Sequence, residues 1–283
     1  MTLDGCGFRA QTSPGIPIGH RSLNPATTLA QVEVASGLCE GPPRGAGNAN
    51  VRGYTGQVDM APDLPSTRPF FVAHRAGNRL ADLHSAELQG AALVEADLRL
   101  YRGRVEVRHL RTLGPLPILW DRWTLAAPWR RRLELGALLA ETSPGTELML
   151  DLKCRRVSLA EKVREAISLY LGARRFTICT RRWELLEPFA GLPVRRVHSI
   201  GTEEELRIFL ERFASERLEG VSIHERLLGP ESVASLRSIA DVLMTWPVNA
   251  PSRARELVRL GVDGLITDDV AGLARHEVLR ATG

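Results

Sequence analysis

From about Arg68 onward the chain alternates between two hydrophobic rhythms. Short apolar runs are separated by longer stretches in which apolar positions recur every three or four residues. The first rhythm predicts buried strands and the second amphipathic helices. Strands are expected at 70–75 (FFVAHR), 93–100 (LVEADLRL), 148–153 (LMLDLK), 176–180 (FTICT), 194–199 (VRRVHS), 220–224 (GVSIH), 242–248 (VLMTWPV) and 264–269 (GLITDD). Helices are expected near 79–90, 158–172, 181–190, 202–216, 230–240, 251–261 and 270–280. Ser158, Thr202 with Glu205 three residues on, and Pro251-Ser252 are sensible helix starts.

Strand–helix alternation implies a parallel sheet covered by helices. Eight strand candidates in this region predict a (β/α)8 TIM barrel. A doubly wound open sheet is the alternative. The gap between the second and third strands is longer than the others. It holds another strand candidate, GRVEVRHL (103–110), and a helix candidate around 128–142, so an insertion at about 101–147 is expected in the second βα loop. Residues 1–66 carry no period and are rich in Gly, Pro, Ala, Thr, Asn and Ser, as in GPPRGAGNANVRGYTGQ. They are expected to form a disordered tail, with residues 67–283 as the barrel domain. Met60 stands just before the patterned region and is a candidate natural start, which would make residues 1–59 a spurious extension.

Two strand candidates raise a question, because each carries two charged side chains spaced two apart. Side chains at i and i+2 share one face of a strand. Glu95 therefore points with Asp97, and Asp151 with Lys153. Both pairs lie at the C-terminal ends of their strands, which in a barrel form the active-site mouth. His74, Arg75, His198, His224, Trp246 and Asp268 also end strands, and His109 ends the inserted one. Three carboxylates without cysteine favour a hard cation, Mg²⁺ or Ca²⁺. Arg75 suits bidentate binding of a phosphate. The competing readings are an ion pair of Glu95 and Asp97 with Arg99 or Arg104, and a structural role for His74. His198 and His224 are either mouth or structural residues, and Asp268-Asp269 read as a cap for the helix near Val270. Cys179 reads as a small core residue. Trp120, Trp123 and Trp129 are expected to pack on the barrel flank, or else to form an apolar flap.

Composition narrows the field. Hydrophobic residues make up 44% and charged residues 25% of the 283, an ordinary globular balance. The net charge of +4 and pI near 9.2 reflect a small excess, with Arg130–Arg132 the one basic block. Without a broad basic footprint, and with 5% aromatics, a nucleic-acid partner is not expected. No apolar run reaches the ~18 residues of a membrane span. Cys6, Cys39, Cys154 and Cys179 are scattered and show no metal-type spacing. With no secretory signal at the start of the chain, they read as reduced thiols in a cytoplasmic protein. Lys153 and Lys162 are the only lysines among 37 basic residues, so a lysine retained at 153 is notable.

In order, His74-Arg75-Ala76-Gly77, Glu95-x-Asp97, His109, Asp151-x-Lys153, Trp246-x-x-Asn249 and GVDGLITDD resemble the glycerophosphodiester phosphodiesterase family. That pattern runs HRG, E-x-D, a second His, E-I-K, W-x-x-N and G-V-D-G-I-I-T-D, and the resemblance spans about residues 70–270. It implies a TIM barrel with a small insertion, and metal-dependent hydrolysis of a small-molecule phosphodiester to glycerol-3-phosphate and an alcohol. Glu95, Asp97 and Asp151 would hold the metal. His74 and His109 would be the acid–base pair, Arg75 and Lys153 would contact phosphate oxygens, and Trp246 would line the glycerol end. In the family a substrate hydroxyl is thought to attack first and water then to open the cyclic phosphate. The chain departs from the pattern in three places. The loop carrying P-E-N-T is shortened, with Asn78 in the Asn position; His-Asp becomes His109-Leu110; and Asp151 replaces a Glu. A barrel that only binds a phosphorylated ligand, and a phospholipase-D-like enzyme acting on lipid head groups, are the alternatives. The oligomeric state is not legible in the sequence.

Overall fold

The structure is a computed structural model that describes residues 68–112, 118–121, 124–126 and 132–276. Eight parallel strands form its centre: β1 (Phe70–Ala73), β2 (Leu93–Tyr101), β3 (Glu147–Leu152), β4 (Phe176–Thr180), β5 (Arg195–Ile200), β6 (Gly220–His224), β7 (Leu243–Trp246) and β8 (Gly264–Thr267). Each strand pairs with the next, and β1 pairs with both β8 and β2, which closes the cylinder. The open-sheet alternative is thereby excluded, and the (β/α)8 barrel stands.

The helices are α1 (Leu80–Leu88), α2 (Leu135–Glu141), α3 (Val157–Ser168), α4 (Glu203–Arg212), α5 (Pro230–Ile239), α6 (Pro251–Arg259) and α7 (Val270–Ala274). Thr202 caps α4 by accepting from the Glu205 amide at 3.2 Å, and α6 opens on Pro251. Two helix expectations need correction. Residues 183–189 form a 3₁₀ turn instead of an α-helix; Pro188 lies inside it and has no N–H to donate. The helix expected from 128 begins only at Leu135, because Leu133–Glu134 pair with Glu106 and Val107 as a short strand. The inserted strand, expected over 103–110, spans Arg104–Val107 and runs antiparallel to β2, so His109 lies beyond its end. Beyond it, Arg111–Thr112, Leu119–Asp121 and Thr124–Ala126 make a separate small sheet. Trp120 there is 38% exposed, against the expectation of flank packing. Trp123, Trp129, Arg130, Arg131, the expected N-terminal tail and Met60 lie outside the described residues.

Strand alternation divides the core into two layers. Phe70, Val72, Met149, Cys179, Met244 and Ile266 belong to the cluster inside the cylinder. Gly264 leaves room for this packing, since a Cβ there would lie 2.6 Å from the Phe70 ring. The other faces of the strands pack against the helices in two larger clusters. Near the N-terminal ends of β3 to β5, buried Arg195 donates to Glu147 Oε1 at 2.9 Å, and Thr177 donates to the same oxygen at 2.6 Å.

His198, a candidate for the mouth, faces the helix layer instead. Its ring lies 6.4, 5.9 and 5.0 Å from those of Trp183, Phe209 and Phe213. Burial, reinforced by the Arg196 charge, pulls its pKa down from 6.5 to about 4. The folded protein therefore holds His198 neutral where the unfolded chain would protonate it. This stability is fully present above the unfolded pKa of 6.5 and is lost as pH falls towards 4. We expect the gap in urea-unfolding free energy between wild type and His198→Leu to close by about 2–3 kcal/mol between pH 7 and pH 4. A gap that stays constant over that range contradicts the assignment.

Candidate active site

The site is assembled where β1, β2 and β3 end. Asp97 sits directly beside Asp151 in the β2–β3 register, and Glu95 is two residues back on the same face. Carboxylate oxygens of Glu95, Asp97 and Asp151 lie within 4.8 Å of one another. All three residues are buried, with Asp97 1% exposed.

The turn after β1 organises this cluster. Arg75 adopts a left-handed conformation, with φ 56° and ψ 8°. That bend sends its backbone N–H to Glu95 Oε2 at 2.7 Å. Gly77 then passes so close to β2 that a Cβ would lie 2.7 Å from the Ala96 Cβ. Next, Asn78 grips Asp97 at both ends of its amide. Its Nδ2 donates to Asp97 Oδ2 at 2.7 Å, and its Oδ1 accepts from the Asp97 backbone N–H at 2.9 Å. Glu95 and Asp97 form no ion pair with Arg99 or Arg104. Arg99 donates to the carbonyls of His109 and Lys153, each at 3.0 Å, and Arg104 pairs with Glu134 at 2.9 Å.

Cations surround the carboxylates. Lys153 Nζ stands 3.1 Å from Asp97 Oδ1 and pairs closely with Asp151. Arg75 Nε lies 3.8 Å from Asp97 Oδ2. His109 places Nδ1 3.4 Å from Asp97 Oδ2 and Nε2 3.3 Å from an Arg75 guanidinium nitrogen. Its segment is anchored by buried Arg108, which donates to Glu106 at 2.6 Å and to Thr112 at 3.0 Å.

On the other flank, His74 Nδ1 lies 2.7 Å from Asp268 Oδ1. A carboxylate only accepts, so Nδ1 carries the hydrogen and Nε2 is left with its lone pair. Asn249 donates to the second Asp268 oxygen at 2.7 Å and accepts from the Asp268 amide at 3.0 Å. Asp268 is therefore not the cap it was expected to be. Asp269 alone caps α7, accepting from the Gly272 N–H at 2.8 Å. β1 and β8 pair Ala73 with Thr267, so His74 and Asp268, the residues following each, are neighbours.

Electrostatics follow from burial and partners. Burial, then the Asp97 charge, pushes the Glu95 carboxyl well above its usual range. Burial also raises Asp151, despite Lys153. For Asp97 burial acts in the same direction but is outweighed by Lys153 and His109, and the net shift is downward. Desolvation works against the Lys153 ammonium, and Asp151, Asp97 and Glu95 overcome it and raise its pKa. Burial and then Arg75 lower His74, partly opposed by Asp268.

The eight residues to which the family resemblance gives a role converge here. His74, Arg75, Glu95, His109, Asp151, Lys153 and Trp246 line one cavity of about 710 Å³, and Asp97 lies buried beneath it. His224 joins them, its ring 4.9 Å from that of Trp246. Buried Asp97 Oδ1 accepts no hydrogen bond among the described residues and meets only the Lys153 charge. An all-oxygen trio with such an oxygen at its centre fits a divalent cation of the Mg²⁺ or Ca²⁺ type.

A model of the glycerophosphoryl diester phosphodiesterase family matches residues 242–271, the stretch that carries Trp246, Asn249 and Asp268. Over that stretch the chain is similar to the glycerophosphodiester phosphodiesterases. Among curated proteins no relative matches it. Solved structures of this family share its fold. A glycerophosphodiester phosphodiesterase from Thermotoga maritima is 24% identical, with a TM-score of 0.59 over 73% of this chain and 97% of that one. A phosphodiesterase from Oleispira antarctica, solved in complex with the product sn-glycerol-3-phosphate, is 17% identical, with a TM-score of 0.59 over 73% and 96%. A putative glycerophosphoryl diester phosphodiesterase from Silicibacter pomeroyi is 17% identical, with a TM-score of 0.62 over 76% and 94%.

A carboxylate cluster held together against its own repulsion gains stability when a cation joins it. At a hundredfold excess over Kd, Mg²⁺ or Ca²⁺ is expected to stabilise the fold by about 2.7 kcal/mol. Glu95→Gln is expected to raise the Tm of the metal-free protein and to abolish the metal-dependent increment. Melting curves indifferent to both cations and to chelator contradict a metal site.

Proposed function

We propose that the protein hydrolyses glycerophosphodiesters to glycerol-3-phosphate and an alcohol, with residues 67–283 as the catalytic domain. The observation that carries this reading is the meeting of Glu95, Asp97 and Asp151 with His74, His109, Arg75 and Lys153 around one cavity. In it, the three carboxylates hold a divalent cation, Mg²⁺ or Ca²⁺. When bound, that cation offsets phosphate charge and acidifies a coordinated hydroxyl or water.

The side chains divide the remaining work. The Arg75 guanidinium and the Lys153 ammonium receive the phosphate oxygens and stabilise the charge that grows in the transition state. His74, neutral near pH 7 and held in its Nδ1–H tautomer by Asp268, takes a proton at Nε2 from the attacking hydroxyl. His109 gives a proton to the departing alcohol. Its Nε2 faces Arg75, so transfer of Arg75 to the substrate phosphate frees that nitrogen. In the second step, opening of a cyclic phosphate by water, the two histidines exchange roles. Trp246 closes the glycerol end. Among the described residues no helix is long and apolar enough to cross a membrane. Cys154 and Cys179 are free thiols, which agrees with a cytoplasmic setting.

Release of glycerol-3-phosphate from glycerophosphocholine and glycerophosphoinositol tests the reading. His74→Ala and His109→Ala are each expected to lower kcat by about 10²–10⁴, and chelator to abolish turnover. Asp268→Asn removes a charge that raises the His74 pKa. It is therefore expected to lower kcat and to move the acid limb of the kcat/KM profile to lower pH. Choline released from phosphatidylcholine but not from glycerophosphocholine would mark a lipid-head-group route, and tight binding without turnover a binding protein. Either result replaces this proposal.

A further inference from the structure

The cavity carries more positive charge than one phosphodiester requires. A cation at Glu95, Asp97 and Asp151, with Arg75 and Lys153, leaves about one positive charge, enough for the single negative charge of a diester. Arg99 is occupied by backbone carbonyls, and Arg181 donates to both oxygens of Glu205 at 3.0 and 2.6 Å. Three further arginines line the same cavity: Arg111 from the insertion after β2, Arg155 just after β3 and Arg182 just after β4. All three are exposed, and among the described residues no carboxylate engages any of them.

Their placement is one-sided. β2, β3 and β4 are neighbours in the cylinder, and β7 lies across it from β3. The β7–β8 side contributes Trp246, Pro247 and Ile266, with no cation. A diester seated on Arg75 and Lys153 with its glycerol against Trp246 directs its other alcohol towards Arg111, Arg155 and Arg182. Guanidinium forks match phosphate oxygens in charge and geometry, and a cleft lined by one sign of charge concentrates ligands of the other.

We propose that the leaving alcohol carries a second phosphate group, and that Arg155 and Arg182, with Arg111, select for it over neutral and zwitterionic head groups. This deepens the diesterase reading and rests on it.

The test compares glycerophosphoinositol with glycerophosphoinositol 4-phosphate at fixed low ionic strength. The phosphorylated diester is expected to show a kcat/KM about tenfold higher, and the ratio to shrink as salt screens the exposed arginines. Arg155→Gln/Arg182→Gln is expected to bring the ratio to about one while turnover of glycerophosphoinositol stays at the wild-type level. A wild-type ratio near one, or a ratio that survives the double substitution, overturns the inference. If neither diester is hydrolysed, the diesterase reading fails by itself. Calorimetric Kd values for the same two compounds then decide the present one: an arginine-dependent tenfold preference supports it and equal Kd values overturn it.

Discussion

Three carboxylates packed within 4.8 Å of one another, at positions almost closed to water, are the constraint around which the rest of the mouth is built. Like charges at that separation in a poorly solvated site oppose ionisation, and burial adds to the effect. The raised Glu95 and Asp151 carboxyls express this cost. The fold offsets it with charge and hydrogen bonds drawn from neighbouring strands. Lys153 stands among the carboxylates, the Arg75 amide holds Glu95, and Asn78 holds Asp97. Asp97 Oδ1 accepts no hydrogen bond among the described residues and faces the Lys153 ammonium at 3.1 Å.

Precision at the mouth comes from the turn after β1. A non-glycine residue in the left-handed region costs free energy that the surroundings must outweigh. Arg75 occupies that region because the conformation aims its N–H at Glu95 while its guanidinium stays at the mouth beside His109 and Asp97. Gly77 permits the close approach that brings Asn78 within reach of Asp97. At the opposite end of the cylinder, the buried Glu147–Thr177–Arg195 network ties β3, β4 and β5 together. Stability and function are thus separated along the strand axis, as barrel architecture favours.

The departures from the family pattern have local answers. Shortening of the loop after β1 is met by Asn78, which takes over the grip on a β2 carboxylate. Loss of the acidic residue after His109 leaves that histidine between Asp97 and Arg75, with Arg99 holding its carbonyl. The shorter Asp151 side chain pairs with Lys153 and still lies within reach of Asp97. The carboxylate that orients a histidine is present after all, but at Asp268 and beside His74.

Sequence alone determined the barrel, its insertion and, with the family resemblance, eight of the residues that meet at the mouth. Strand period and strand ends are local properties: a charge two positions from another on an apolar strand shares its face in any fold. Tertiary structure decided the pairings. Which carboxylate serves His74 depends on β8 closing against β1, a contact between segments nearly two hundred residues apart that no local pattern encodes. His198 and His224 end adjacent strands and look alike in sequence. One faces the aromatic layer under the helices and the other the cavity, because the register and tilt of a closed cylinder fix which way each side chain points. The one-sided set of arginines likewise exists only once β2, β3 and β4 stand next to one another.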